Sequence, residues 1–198
     1  MRLQNHIALF AALALAGCAA LPGGFTKALD TFELSSLSAK SEGRRLPQRQ
    51  LLVAEPVALK PLDGENIVIR DGRTSVQYLS GAQWSDRLPR IVQARLAEAY
   101  QRSGRLGGVG LPGQGIAVDY QVVTEIRAFE IRVGGGDAAV VEIWAKLLND
   151  RNGVVRASRI FTASEPVSGP GNDRFIAALD AAFAQAAGEI VDWTLRSM

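Results

Sequence analysis

The chain has one cysteine, Cys18, and one histidine, His6, so no thiol or imidazole occurs anywhere after residue 18 of its 198. That excludes a disulfide, a zinc site built on Cys or His, a cysteine nucleophile and a histidine general base from everything downstream. Lysine is scarce as well, present only at positions 27, 40, 60 and 146, and none of the four stands in a Ser-x-x-Lys spacing. Charge of one sign never accumulates: 22 basic residues face 20 acidic ones, and the longest basic block of note is Arg44-Arg45. Nucleic-acid binding therefore has no electrostatic footprint. No apolar run reaches the roughly 20 residues that a helix needs to cross a bilayer. The remaining hydrolytic options are a carboxylate pair or an oxygen-ligated metal. Asp119 and Glu125 would share one strand face, but charge on a solvated face is the ordinary reason for such a pattern. The expectation is a protein without catalytic residues, metal or cofactor, one that binds or scaffolds.

What is present begins at the amino terminus. A short polar start (Arg2, Gln4, Asn5, His6), an apolar run from Ile7 to Ala16 and a small-residue exit make residues 1–17 a secretory signal peptide. The tetrad Leu15-Ala16-Gly17-Cys18 resembles the lipobox of bacterial lipoproteins, which implies that Cys18 is the lipidation site. Each buried methylene contributes about 0.8 kcal/mol, and two or more acyl chains give a stable anchor where one is marginal. The domain is expected to sit in the cell envelope, lipid-anchored and facing the periplasm. Ala19 follows the cysteine where an Asp would resemble an inner-membrane retention mark, which favours the outer membrane over the inner.

Residues 18–50 read as a lipidated tether. Ala19 to Gly24 is small and breaker-rich, Thr31-Phe32-Glu33-Leu34 is a short edge strand, and polar residues run from Ser35 to Gln50. The domain is expected from Leu51 to Met198. Leu51 to Ala54 is a compact apolar run ended by Pro56, which suits a buried strand. Asp71-Gly72-Arg73 between Ile67–Arg70 and Ser75–Leu79 predicts a hairpin. From Asp86 the period changes. Leu88, Ile91, Val92, Leu96, Ala99 and Tyr100 form one stripe of an amphipathic helix, with Ser85 or Asp86 as cap, Pro89 in its first turn and Gly104 at its end. The six glycines between Gly104 and Gly115 lack a P-loop lysine and read as a surface loop.

Strict alternation then returns. Val118, Tyr120, Val122 and Ile126 oppose Asp119, Gln121, Glu125 and Arg127, and Val141, Ile143, Ala145 and Leu147 oppose Glu142, Trp144 and Lys146. A third strand follows Asp150-Arg151-Asn152-Gly153, giving an antiparallel meander. A second amphipathic helix starts near Asp173, with Asn172 as cap and Phe175, Ile176, Leu179, Phe183, Ala186, Ala187, Ile190 and Thr194 on one stripe. The fold class is α+β: a two-layer domain of a mostly antiparallel sheet packed against two amphipathic helices. Alternation puts Trp144 on the sheet face opposite the core, an interface candidate because large amphipathic rings serve that role. Cover by a loop or by the N-terminal segment is the competing reading. Trp193 either packs or anchors an interface. Tyr78 and Trp84 read as core.

In order along the chain, Phe32-Glu33-Leu34, Leu52-Val53-Ala54-Glu55-Pro56, Ile67-Val68-Ile69-Arg70, Tyr78 and Trp84-Ser85-Asp86-Arg87-Leu88-Pro89 are followed by Asp119-Tyr120, Arg127-Ala128-Phe129-Glu130, Ala157-Ser158-Arg159-Ile160-Phe161, Ala178 to Ala182 and Ile190-Val191-Asp192-Trp193. Together with the lipobox this pattern resembles the ABC-type transport auxiliary lipoproteins, the family that includes the paraquat-inducible lipoprotein. The resemblance implies a non-catalytic accessory of an MCE/Mla-like lipid transport system. Its partners would be a mammalian-cell-entry (MCE) substrate-binding protein, a permease and an ATPase, with the membrane reached through the acyl chains on Cys18. The cargo would be phospholipid or another hydrophobic molecule moved between the membranes. Ring-like partners make a homo-oligomer compatible with this reading. The alternative is an envelope lipoprotein scaffold in lipopolysaccharide export or outer-membrane maintenance. No family catalytic residue exists to carry over.

Overall fold

The alternation read between Tyr120 and Leu147 builds the centre of the structure, a computed structural model that describes residues 28–37 and 43–198. The elements are β1 (Asp30–Phe32), β2 (Leu46–Val53), β3 (Val57–Ala58), a 3-10 turn (Lys60–Leu62), β4 (Asn66–Asp71), β5 (Ser75–Trp84), α1 (Leu88–Arg102), β6 (Leu106–Gly110), β7 (Tyr120–Val133), β8 (Ala138–Asn149), β9 (Val155–Pro166) and α2 (Asn172–Ser197). All nine strands join one sheet. The architecture is α+β, as expected.

β7 organises that sheet. One of its edges takes β2, β3 and β4 in succession, all parallel to it, with Leu51 opposite Tyr120, Val57 opposite Glu125 and Val68 opposite Glu130. The other edge takes β8 antiparallel, and β9 continues the meander beyond it. β5 closes the Asp71-Gly72-Arg73 hairpin on β4, β1 lies parallel to β5, and β6 lies parallel to β2. Five of the eight pairings are thus parallel. The sheet is mixed rather than mostly antiparallel in its connections, because β2, β3 and β4 reach β7 only after the long excursion through β5, α1 and β6. Parallel neighbours require such crossovers and leave no turn signal between them.

The glycine-rich stretch expected as a loop contains β6. At Gly107 an added Cβ would lie 2.0 Å from the Pro47 carbonyl oxygen, so glycine here permits β6 to pair closely with β2. Backbone approach, rather than looseness, accounts for the residue type.

The helices follow their predicted stripes. Leu88, Ile91, Val92, Leu96, Ala99 and Tyr100 of α1 are buried, as are Ile176, Leu179, Phe183, Ala186, Ala187, Ile190 and Thr194 of α2. The start of α1 differs from expectation: Arg87 precedes the helix and no side chain caps it. Asp86 instead accepts a hydrogen bond from the Arg87 amide at 2.7 Å, while the Arg87 guanidinium binds Asp63 and, at 2.9 Å, Glu55. Gly104, with φ +60, closes the other end in the left-handed region that glycine enters without strain. At α2, Asn172 donates through its side chain to the Ser80 carbonyl at 3.1 Å instead of capping, and Gly171 takes the N-cap position.

Between helices and sheet, Phe129 sits at the joint, with ring centroids 5.8 Å from both Trp84 and Phe183. Tyr100 donates to Thr194 Oγ1 at 2.8 Å, tying α1 to α2. Both side chains are buried, and burial pushes the Tyr100 phenol pKa far up, so it stays a neutral donor.

The folded unit begins before Leu51. Leu34 and Leu37 are core residues at 1% and 5% exposure. Their segment is pinned by Arg95 Nε donating to the Leu34 carbonyl at 2.6 Å and by Asp180 accepting from the Ser35 amide at 2.7 Å. The expected boundary at residue 51 is corrected accordingly. Two leucines in a polar stretch carry no period by which to recognise them, although the edge strand at Thr31 and Phe32 is present as β1.

Phe129→Ala is expected to cost about 3–5 kcal/mol. Tyr100→Phe, which strands one buried hydroxyl, is expected to cost about 1 kcal/mol. Urea unfolding followed by circular dichroism measures both, and equal costs would contradict the central place assigned to Phe129.

Candidate functional site

The meander presents one face to the helices and the other away from them. Ile143, Ala145 and Leu147 are wholly buried on the inner face, so Trp144 and Lys146 stand on the outer one. Register lines up Val57, Glu125, Trp144 and Ile160 as one row across β3, β7, β8 and β9. Val57 and Ile160 are 63% and 48% exposed, and nearby Leu59 is 78% exposed. The Trp144 ring is flanked by cations: the Arg127 guanidinium carbon is 5.3 Å from its centroid and Lys146 Nζ 5.1 Å. Such contacts contribute about 0.5–1 kcal/mol each at exposed sites. The indole is half-buried, and Glu125 occupies Arg127 at 3.2 Å. The result is an aromatic centre with apolar neighbours and a polar margin, the composition of a protein-binding patch.

Trp193 lies elsewhere. It projects from α2 toward the inner face and meets Phe161 edge-on at 5.5 Å, so the two tryptophans singled out from the sequence are on opposite sides of the sheet. Trp84 is in the core at 1% exposure, as expected. Tyr78, expected beside it, is 49% exposed instead. Register sets Tyr78 opposite Val68, which lies opposite Glu130, on the sheet face turned away from the helices.

Asp119 and Glu125 do not converge. Six residues along an extended strand separate them by about 20 Å. Asp119 is structural: its Oδ2 accepts from the Gln50 amide at 3.0 Å, and its Oδ1 from Arg151 at 2.8 Å, with Arg49 at 3.6 Å. The Gln50 amide first, then Arg151 and Arg49, hold this carboxyl below the usual aspartate range. It locks the start of β7 to β2 and to the β8–β9 turn.

Sequence reasoning missed a third cluster. Glu130 is 2% exposed and accepts from Arg70 Nε at 2.8 Å and from Arg132 Nε at 3.0 Å. Arg70 and Arg132 are sixty-two positions apart, and only the parallel β4–β7 register sets them opposite each other. The alternation of Glu130 and Arg132 with Phe129 and Ile131 in β7 was the available signal, but nothing in it named β4 as the partner strand. Among the described residues no three His, Cys, Asp or Glu side chains form a metal-sized group, and no helix is long and apolar enough to cross a membrane. Cys18, the expected lipidation site, and the expected signal peptide before it lie outside the described residues.

With the fold and these surfaces in place, comparison with known proteins gives the class. The family described as the ABC-type transport auxiliary lipoprotein component matches residues 32–191, and the chain belongs to it. It is 28% identical over 194 residues to a Bradyrhizobium diazoefficiens protein, covering 91% of this chain and 49% of that one, so it spans about half the length of the curated relative it matches. A crystal structure of a Xanthomonas campestris protein superposes with a TM-score of 0.79 at 29% identity, covering 84% of this chain and 95% of that one. A further crystal structure, 18% identical, shares the fold with a TM-score of 0.66 over 83% of this chain and 97% of that one. The family places the chain among cell-envelope lipoproteins that accompany ABC-type transport.

Asp119→Asn is expected to remove about 2 kcal/mol at neutral pH, the scale of hydrogen bonds to a charged group. Because the folded pKa is depressed, this contribution is present above the unfolded value near 4 and is lost as pH falls through the lower folded value. Unfolding titrations should therefore show the gap between wild type and variant closing below about pH 4. A gap independent of pH would contradict the charged role of Asp119.

Proposed function

We propose that the chain is the non-catalytic, lipid-anchored periplasmic accessory of an MCE/Mla-like ABC transport system that moves phospholipid or other hydrophobic molecules between the membranes. The observation that carries this reading is the outer sheet face around Trp144, exposed apolar surface with a cation-held aromatic centre, on a chain whose family accompanies ABC-type transport. An accessory that only docks needs such a face and no acid–base pair. Asp119 and Glu125 are each committed to arginines, which fits a role without chemistry. The reading takes Cys18 as the acylated residue, in the outer membrane in preference to the inner. The anchor raises the local concentration of the docking face beside its partner. The partner that meets this face is the MCE-domain protein, with permease and ATPase behind it.

Pull-down of the intact lipoprotein from crosslinked envelopes, with partners identified by mass spectrometry, is expected to recover an MCE-domain protein, a permease and an ATPase. Cys18→Ala should abolish that recovery. Trp144→Ala should reduce it while leaving the melting temperature nearly unchanged. Recovery of outer-membrane assembly proteins alone would overturn the transport reading, and full recovery with Trp144→Ala would move the contact to another face.

A further inference from the structure

The Glu130 cluster lies toward the opposite end of β7 from Asp119 and stands outside the Trp144 row. Parallel register sets Arg70 opposite Arg132, and the hairpin sets Val76 opposite Arg70 and Tyr78 opposite Val68. Alternate residues of a strand share a face, so Arg70, Arg132, Glu130, Val76 and Tyr78 lie on one face while Asp71 turns to the other. Glu130 grips each arginine through Nε, which fixes the plane of both guanidinium groups and leaves their terminal amino groups uncommitted among the described residues. Arg73, in the adjoining turn, has no carboxylate partner among the described residues. Arg70, Gly72, Arg73, Arg132 and Val133 line one open cavity of about 380 Å³.

Two guanidinium groups thus bind one buried carboxylate and a third, Arg73, lines the same cavity, leaving an excess of positive charge there. The flat fork of arginine matches phosphate oxygens with paired N–H donors. Two of the three forks are already oriented by Glu130, which lowers the ordering cost of binding. Beside them Val76 and Tyr78 are 38% and 49% exposed. A free phosphate gains nothing from that apolar margin, whereas the glycerol and acyl-ester region of a phospholipid does. We propose that this cavity binds the phosphodiester headgroup of an anionic phospholipid. The choice of phospholipid rests on the transport reading above; the coordination of a phosphate oxyanion rests on the arginine geometry.

The test is calorimetric titration of the detergent-solubilised full-length lipoprotein with three separate probes: glycerophosphoglycerol, dihexanoyl-phosphatidylglycerol and inorganic phosphate. Saturable binding of the first two is expected, each weakened at least roughly tenfold by Arg73→Gln. That exposed turn residue can be changed without unpairing Glu130. Tyr78→Ser should weaken the acylated probe and spare glycerophosphoglycerol. Inorganic phosphate binding as tightly as the acylated probe would overturn the headgroup assignment in favour of free anion, and indifference of all three probes to Arg73→Gln would overturn the site. Absence of headgroup binding with transporter partners still recovered by crosslinking would sink this site alone; the reverse pattern would sink the transport reading alone.

Discussion

Pairing along both edges of β7 is the constraint on which the other elements depend. Its 14 residues serve three parallel strands on one side and a long antiparallel partner on the other. The strand cannot slide without breaking all four pairings. A bulge between Ile126 and Ala128 shifts the alternation midway. Val122 and Ile126 face the helices before it, and Phe129 and Ile131 do so after it. The same extra residue lets Arg127 stand beside Trp144 on the outer face. One local irregularity therefore serves both the core joint at Phe129 and the outer patch, as bulges that re-aim side chains do elsewhere.

Local pattern made much of this legible. Alternation in β7 and β8, the Asp-Gly hairpin and both helical stripes are properties of neighbours in sequence, and each is present where it was read. The pairings that were not legible join distant segments. Nothing in Leu46–Val53 announces β7 or β6 as its neighbours, and the glycines of β6 resemble a loop until the Pro47 carbonyl is seen beside Gly107. Leu34 and Leu37 likewise look like tether until α1 supplies a surface for them. Of the candidate surfaces, the face of Trp144 follows from parity alone. The arginine cluster does not, because it is created by register between β4 and β7. Tyr78 is exposed for a related reason: register with Val68 and, through it, Glu130 puts it on the face that the helices do not cover.

The division of labour between the two sheet faces explains how a domain with no thiol or imidazole after residue 18 can hold a stable shape and still present function. The inner face and the buried stripes of both helices are almost entirely apolar, with Tyr100 and Thr194 satisfying each other inside it. Polar residues on the other side are organised into ion pairs that bind strands together at one end through Asp119 and at the other through Glu130. Between these two clusters the sheet keeps Trp144, Val57 and Ile160 available. The core and the Trp144 patch thus draw on different residues, and the patch can vary without loss of the core.

The way the chain enters the domain has a mechanical consequence. β1 has only three registered pairs with β5, but directly behind it Arg95 grips the Leu34 carbonyl, Asp180 holds the Ser35 amide, and Leu34 and Leu37 are sunk in the core. Tension applied through residues preceding Asp30 would first load β1 in shear and then reach a latch fastened to both helices at once. The weak strand acts as a fuse: it can give way and reform while α1, α2 and the sheet they cover remain folded under load.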